Sequence, residues 1–265
     1  MLEGIDTGFF LLLLAIGVVG LLSVLPLKIQ FAELTSSKTG ADARNDATVR
    51  TLVRTFGMKL PLLVVAIGIG LWLASHLGLK GAPLLTGAWH GKEAVDFWNT
   101  IAVGIGTGLG VGVVVALLAL LGTQQGGLDF YSIPLWKRQL AGLLYGGIVE
   151  ELFFRFFLLA LLAWAVGAGL GLATGPDNTV VFWTANIISA LFFGLAHLPS
   201  VSALGSLKKK TAALTLLLNG LAGLVYGYLF WVYGIEAAML AHASTHVALQ
   251  TGMRLLLRLL VPRNA

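Results

Sequence analysis

Long apolar runs separated by short polar breaks make up almost the whole chain. The hydrocarbon core of a bilayer is about 30 Å thick and an α-helix rises about 1.5 Å per residue, so a spanning helix needs about 20 mainly apolar residues. Seven segments meet that requirement, at roughly 8–27, 60–79, 101–122, 139–168, 179–200, 211–232 and 236–260. With ambiguous ends allowed for, the count lies between six and eight. The pattern predicts an all-α fold, a polytopic transmembrane helical bundle. The seventh segment is expected to break at Gly252, leaving MRLLLRLLV along the interface. In the one long polar stretch, after Lys28, the residues Arg50, Leu52, Val53, Arg54 and Phe56 predict a short basic amphipathic helix on the cytoplasmic side. The chain divides into N-terminal helices and loops (1–138), a chemistry-bearing group of helices (139–250) and a basic tail (251–265).

Composition supports this reading. Of 265 residues 57% are hydrophobic and only 11% charged, and the mean hydropathy is +0.90. A soluble domain of this length cannot hide so much apolar surface, whereas lipid accepts it. Cysteine is absent, which excludes disulfides and thiolate metal sites. The net charge of +5 is distributed unevenly. Lys28, Lys38, Arg44, Arg50, Arg54 and Lys59 crowd one loop, Lys137 and Arg138 precede the fourth segment, and Lys208, Lys209 and Lys210 precede the sixth. Loops between these are poor in basic residues, an alternation that places the N-terminus outside and the C-terminus in the cytoplasm. No basic stretch is interleaved with aromatic residues, so nucleic acid is not an expected partner. The opening MLEGIDTGFF has no basic residue, unlike a signal peptide, and is expected to lead into a retained first span. Short, Gly- and Leu-rich helices with tight loops point to a bacterial inner membrane. The run GIGTGLGVG, from Gly104 to Gly112, follows no strand; close helix packing explains it better than a nucleotide loop.

Ionisable groups inside spans cost about 2.5–3.5 kcal/mol each at the membrane centre, so they usually mark function. The segment GGIVEELFFRFF carries Glu150, Glu151 and Arg155. Glu151 and Arg155 are four apart and share a helix face, so they should pair. Glu150 points about 100° away and is left without a local partner, the situation of a general base or acid. A purely structural charge pair accounts for Arg155 and one carboxylate, not for both. SALFFGLAHLPS supplies Phe193 and His197, and MLAHASTHVAL supplies His242 and His246 on one helix face. The latter is metal-ligand spacing, and equally a pair able to position water or an oxyanion. Packing histidines are the plainer alternative. His76, Asn186 and Asn219 are expected to hydrogen-bond between helices, and His90 is given no role.

Glu-Glu-x-x-x-Arg, then Phe-x-x-x-His, then His-x-x-x-Asn or Asp, on successive helices, is the order of motifs in the CAAX-protease and bacteriocin-processing (Abi) family, which includes the type II prenyl endopeptidases. Residues 139–250 resemble that family through Glu150, Glu151 and Arg155, then Phe193 and His197, then His242. The third motif departs from the family by ending in His246. The resemblance implies an intramembrane endopeptidase acting on a membrane-associated protein or peptide. Glu150 would activate water with help from His197. His242 and His246 would hold that water or stabilise the oxyanion, and Glu151, Arg155 and Phe193 would shape the site. Either no cofactor is needed, or a zinc ion is held by Glu150, His197, His242 and His246. A proton-coupled transporter and a non-catalytic chaperone or immunity relative are the competing readings. The ionisable residues cluster in the second half only, which disfavours a transporter built from repeats. By depth, Glu150 falls mid-membrane, His197 toward the cytoplasmic end of its helix and His242 toward the outer end of its own. Their meeting requires a helix boundary to lie elsewhere or a helix to tilt or break, and the fifth, with Pro199 and the apolar run to Leu207, is the expected place.

Overall fold

The computed structural model describes residues 6–34, 40–92, 96–122, 133–202 and 208–260. Every regular element among them is a helix: α1 (Thr7–Ser23), α2 (Leu25–Leu34), α3 (Gly40–Arg54), α4 (Leu60–His76), α5 (Pro83–Trp89), α6 (Phe97–Gly122), α7 (Leu135–Leu140), α8 (Ala160–Leu170), α9 (Thr179–Ser202), α10 (Lys209–Tyr233) and α11 (Ile235–Leu260). A short π-helical turn, Thr55–Lys59, joins α3 to α4, and two longer π-helical stretches, Ala141–Glu150 and Leu152–Leu159, join α7 to α8. Residues 261–265, the end of the expected basic tail, lie outside the described residues, as do Lys38 and the 203–207 link.

Six of the resulting rods are long and apolar enough to cross a membrane: Thr7–Glu33, Asn45–His76, Phe97–Ala119, Leu135–Leu170, Thr179–Ser202 and Lys209–Tyr233. Large apolar side chains such as Leu11, Val65, Leu117, Leu191 and Leu217 face outward, as they do in lipid and not in water. The protein is an integral membrane protein.

The seventh predicted segment differs from expectation in two ways. Its histidines and other polar residues keep α11 from qualifying as a span by composition. It is also unbroken, passing through Gly252 to Leu260. A single glycine in a helix costs only about 1 kcal/mol, too little to end one that is packed on several sides. α11 lies against α6, α10 and the 141–150 stretch, and it runs parallel to α6 in step. A Cβ on Gly104, Gly108 or Gly112 would meet Ala237, Ala241 or Thr245 respectively. Thr245 Oγ1 also donates to the Gly108 carbonyl at 3.0 Å, an interhelical bond across the same stripe. The glycine run therefore does set a close helix approach.

That stripe carries a prediction. Gly108→Val forces a side chain into the Ala241 backbone, whereas Gly110 has nothing within 4 Å. Overpacking of this kind costs about 1–3 kcal/mol. Gly108→Val should lower the unfolding midpoint in detergent by that equivalent, and Gly110→Val should leave it unchanged.

At the other expected exceptions, polar side chains mostly satisfy themselves. Asn186 Nδ2 does bond across helices, to the Leu224 carbonyl at 3.0 Å. His76 Nδ1 instead bonds Trp72 O (2.8 Å) and Asn219 Nδ2 bonds Thr215 O (2.9 Å). Each of these reaches one turn back along its own helix, because a polar group four residues on finds that carbonyl sooner than any neighbour. The predicted amphipathic helix exists as α3. α2 also lengthens the first rod past the expected end at residue 27.

Two groups of contacts mark the bundle's two ends. At the N-terminal end of α1, the Asp6 carboxylate accepts from Phe9 N–H (3.0 Å) and Trp89 Nε1 (2.9 Å). Those bonds, the backbone one first, hold its pKa below the usual value. There also Glu236, at the start of α11, accepts from Leu85 N–H at 2.9 Å. The opposite end collects Lys28, Lys59, Lys137 and Arg138.

Candidate active site

The predicted residues meet in one place. Arg155 Nη1 donates to Glu151 Oε1 at 2.8 Å, with the two side chains 1% and 0% exposed. The i, i+4 spacing on an apolar face produces this pair. Arg155 Nη2 donates to the Gly223 carbonyl (3.1 Å), and its guanidinium lies 4.3 Å from the Phe193 ring centroid. The same Glu151 oxygen lies 2.7 Å from His242 Nδ1. Glu151 therefore fixes His242, a contact that the sequence leaves open.

Glu150 faces away from that pair, as its position one residue earlier requires. Its Oε2 lies 3.7 Å from His197 Nε2 and 3.9 Å from His242 Nε2. Both distances exceed a direct hydrogen bond. The Glu150 side chain is 18% exposed and that of His197 26%, against 4% for His242. The centre is thus reached from one side and closed on the other.

The fifth helix does not break at its proline. α9 stays helical through Pro199 to Ser202. Pro199 has no amide hydrogen to donate, and at the end of a packed helix the loss is small. The change of winding falls instead on the fourth rod, π-helical on both sides of Glu151. Wide i→i+5 winding is uncommon and gathers at functional sites. It re-aims the adjacent glutamates without breaking the rod.

The hydrogen-bond partners set the tautomers. His197 Nδ1 lies 2.8 Å from the Phe193 carbonyl. A carbonyl only accepts, so Nδ1 carries a proton, and in the neutral imidazole Nε2 presents a lone pair to Glu150. His242 Nδ1 donates to the Glu151 carboxylate in the same way, leaving its Nε2 lone pair toward Glu150. His246 is opposite. Gln250 Nε2 donates to the Arg138 carbonyl (3.2 Å) and lies 3.3 Å from His246 Nδ1. An amide nitrogen donates, so His246 Nδ1 accepts and its Nε2 carries a proton.

Aromatic packing holds these rings. His242 is stacked between Tyr226 (centroids 4.8 Å, 20° between planes) and His246 (5.0 Å, 19°), with the Phe193 ring near-perpendicular to it at 5.6 Å between centroids. Gly142 and Gly146 leave room for the imidazoles, and a Cβ at Gly142 would stand 2.5 Å from His246 Cγ. Tyr226 and Gln250 are absent from the sequence-based site. Gln250 had a signal in its i+4 spacing from His246; Tyr226, on another helix, had none.

A tetrahedral zinc site places its ligand atoms about 3.4 Å apart around bonds of about 2.0–2.1 Å. The Glu150–histidine separations are wider, and among the described residues no three His, Asp or Glu side chains are placed to hold a metal ion together.

Residues 133–248 match the family model described as "Rce1-like: Type II CAAX prenyl endopeptidase Rce1-like". No curated protein and no solved structure matches the chain. The match covers the fourth rod with its paired glutamates, α9 with His197, α10, and α11 as far as Ala248, so that it includes His246 and stops short of Gln250. Residues 133–248 thus form an Rce1-like domain of the type II CAAX prenyl endopeptidase kind.

Proposed function

We propose that the protein hydrolyses a peptide bond of a membrane-associated protein or peptide with a water molecule activated by Glu150. The observation that carries this reading is the convergence of the Glu150 carboxylate with the lone pairs of His197 Nε2 and His242 Nε2, at 3.7 and 3.9 Å. Three acceptors facing one another repel unless a proton-bearing group lies among them. A water molecule supplies two O–H donors and keeps an oxygen lone pair for attack.

Glu150 takes one proton from that water as its oxygen bonds to the scissile carbonyl carbon. The second O–H of the water is shared between the unprotonated nitrogens of His197 and His242, which orient it. The carbonyl oxygen becomes an oxyanion, and His246, whose Nε2 carries hydrogen, is the donor beside it. When the C–N bond breaks, Glu150 returns its proton to the leaving nitrogen, giving a carboxylic acid and an amine. Glu151, held by Arg155, keeps His242 in the required tautomer, as a carboxylate behind an imidazole does in other hydrolases. The helices of 139–250 are the catalytic unit, and 1–138 buttress it. Lys28, Lys59 and Lys137 at one end support a cytoplasmic position for that end and an N-terminus outside, and the proposed location is a bacterial inner membrane.

The tautomer of His246 makes a direct test. Asparagine, found at this place in the family's motif, also donates a hydrogen bond, whereas alanine cannot. His246→Ala should lower kcat on a membrane peptide substrate about 10²–10³-fold, with KM little changed, and His246→Asn should recover most of that loss. Equal defects in the two variants would show that His246 is not the donor.

A further inference from the structure

Apart from the Glu150 centre, two lysines converge on one phenol. Lys59, at the foot of α4, donates a hydrogen bond to Tyr145 Oη and stands 4.4 Å from its ring centroid. Lys28, on α2, stands 5.7 Å from the same ring. Lys137 donates to Gln30 Oε1 at 2.7 Å close by on α2. Lys28, Lys59 and Tyr145 are all half-buried. Among the described residues the ion pairs are Arg50–Asp46, Arg155–Glu151 and the histidine–glutamate contacts, and none contains a lysine.

Two ammonium groups drawn together out of water against a neutral phenol repel each other, and an anion between them removes that cost. Their level narrows the anion. The apolar run of the first rod ends at Leu27 and that of the second starts at Leu60, so both lysines sit where hydrocarbon gives way to headgroups. Beside them Met58 is 70% exposed and Trp136 57%, an apolar and aromatic rim suited to acyl chains and the interface. Lysine ammoniums bind phosphate as point charges and lack the planar fork that matches a carboxylate.

We propose that Lys28, Lys59 and Tyr145 form the headgroup site of one bound anionic phospholipid, whose phosphate oxygens accept from the two ammoniums. Basic pockets between spanning helices hold anionic headgroups in this way. Tyr145 lies one i→i+5 turn before Glu150 on the same π-helical stretch, so the lipid braces the segment that aims Glu150. The binding itself is independent of any role given to Glu150.

Native mass spectrometry of the purified full-length protein, released from micelles carrying equal phosphatidylglycerol and phosphatidylcholine, tests this. The wild type should retain the anionic lipid about tenfold more than the zwitterionic one. K28Q/K59Q should bring the two near parity, while K209Q/K210Q, with the same charge change elsewhere, should keep the preference. Should the double variant not fold, K28Q alone should show a partial loss. An unchanged preference in the variants that fold, or an equal loss in K209Q/K210Q, overturns the proposal. Displacement of the lipid by a peptide with a free C-terminal carboxylate, at concentrations where its amide has no effect, assigns the lysines to substrate and also overturns it.

Discussion

Glu150→Gln should abolish cleavage of a membrane peptide substrate while leaving insertion and folding intact. Glutamine keeps the shape of the side chain but cannot take a proton from water, and loss of a general base lowers kcat by about 10²–10⁴-fold. Folding should survive because Glu150 makes no direct hydrogen bond to either imidazole, with separations of 3.7 and 3.9 Å, and its side chain remains 18% exposed. Single-turnover cleavage in micelles, beside an unfolding midpoint, reads both quantities. Cleavage within a few-fold of wild type would remove Glu150 from the chemistry. Loss of proton flux across vesicles with cleavage unaffected would support a proton relay instead.

The largest expected effect on stability lies one residue away. Arg155→Leu leaves the Glu151 carboxylate fully buried with only His242 beside it. Breaking a buried ion pair from one side costs about 3–5 kcal/mol. It also removes the bond to the Gly223 carbonyl and the packing on Phe193 and Tyr226. Arg155→Lys should not rescue it, since a single ammonium cannot serve Glu151 and Gly223 with the same planar fork. The double variant E151L/R155L separates the two jobs of this pair. Replacing both charges by apolar groups is often neutral for stability, so the unfolding midpoint should return toward wild type. Activity should not return, because His242 Nδ1 has lost its acceptor. Recovery of both together would mean that Glu151 does nothing for His242.

The extent to which the site was legible depended on how local each contact is. Glu151–Arg155 is an i, i+4 pair, and its formation follows from helix geometry alone. The isolation of Glu150 from Arg155 follows from the same geometry. The partners of Glu150 come from α9 and α11, and motif order could name them but could not bring them to one depth. The expectation that α9 would break at Pro199 failed for that reason. The fourth rod instead is π-wound on both sides of Glu151, a change of winding that leaves no periodic signature in the residues themselves.

Hydrophobic periodicity and length determined that this chain lives in a bilayer as a helical bundle, because each span must satisfy its own backbone hydrogen bonds and needs only about 20 apolar residues to do so. The glycine stripe of α6 was legible for the same reason, being a property of one helix. Only the tertiary structure decided that α11, too polar to stand in lipid by itself, is held beside α6 with its histidines turned inward. It alone decided which ring nitrogens carry protons, through Phe193, Glu151 and Gln250. Those choices arise where side chains from different helices meet. The free energy of each depends on the partner it finds there, which no single stretch of sequence contains.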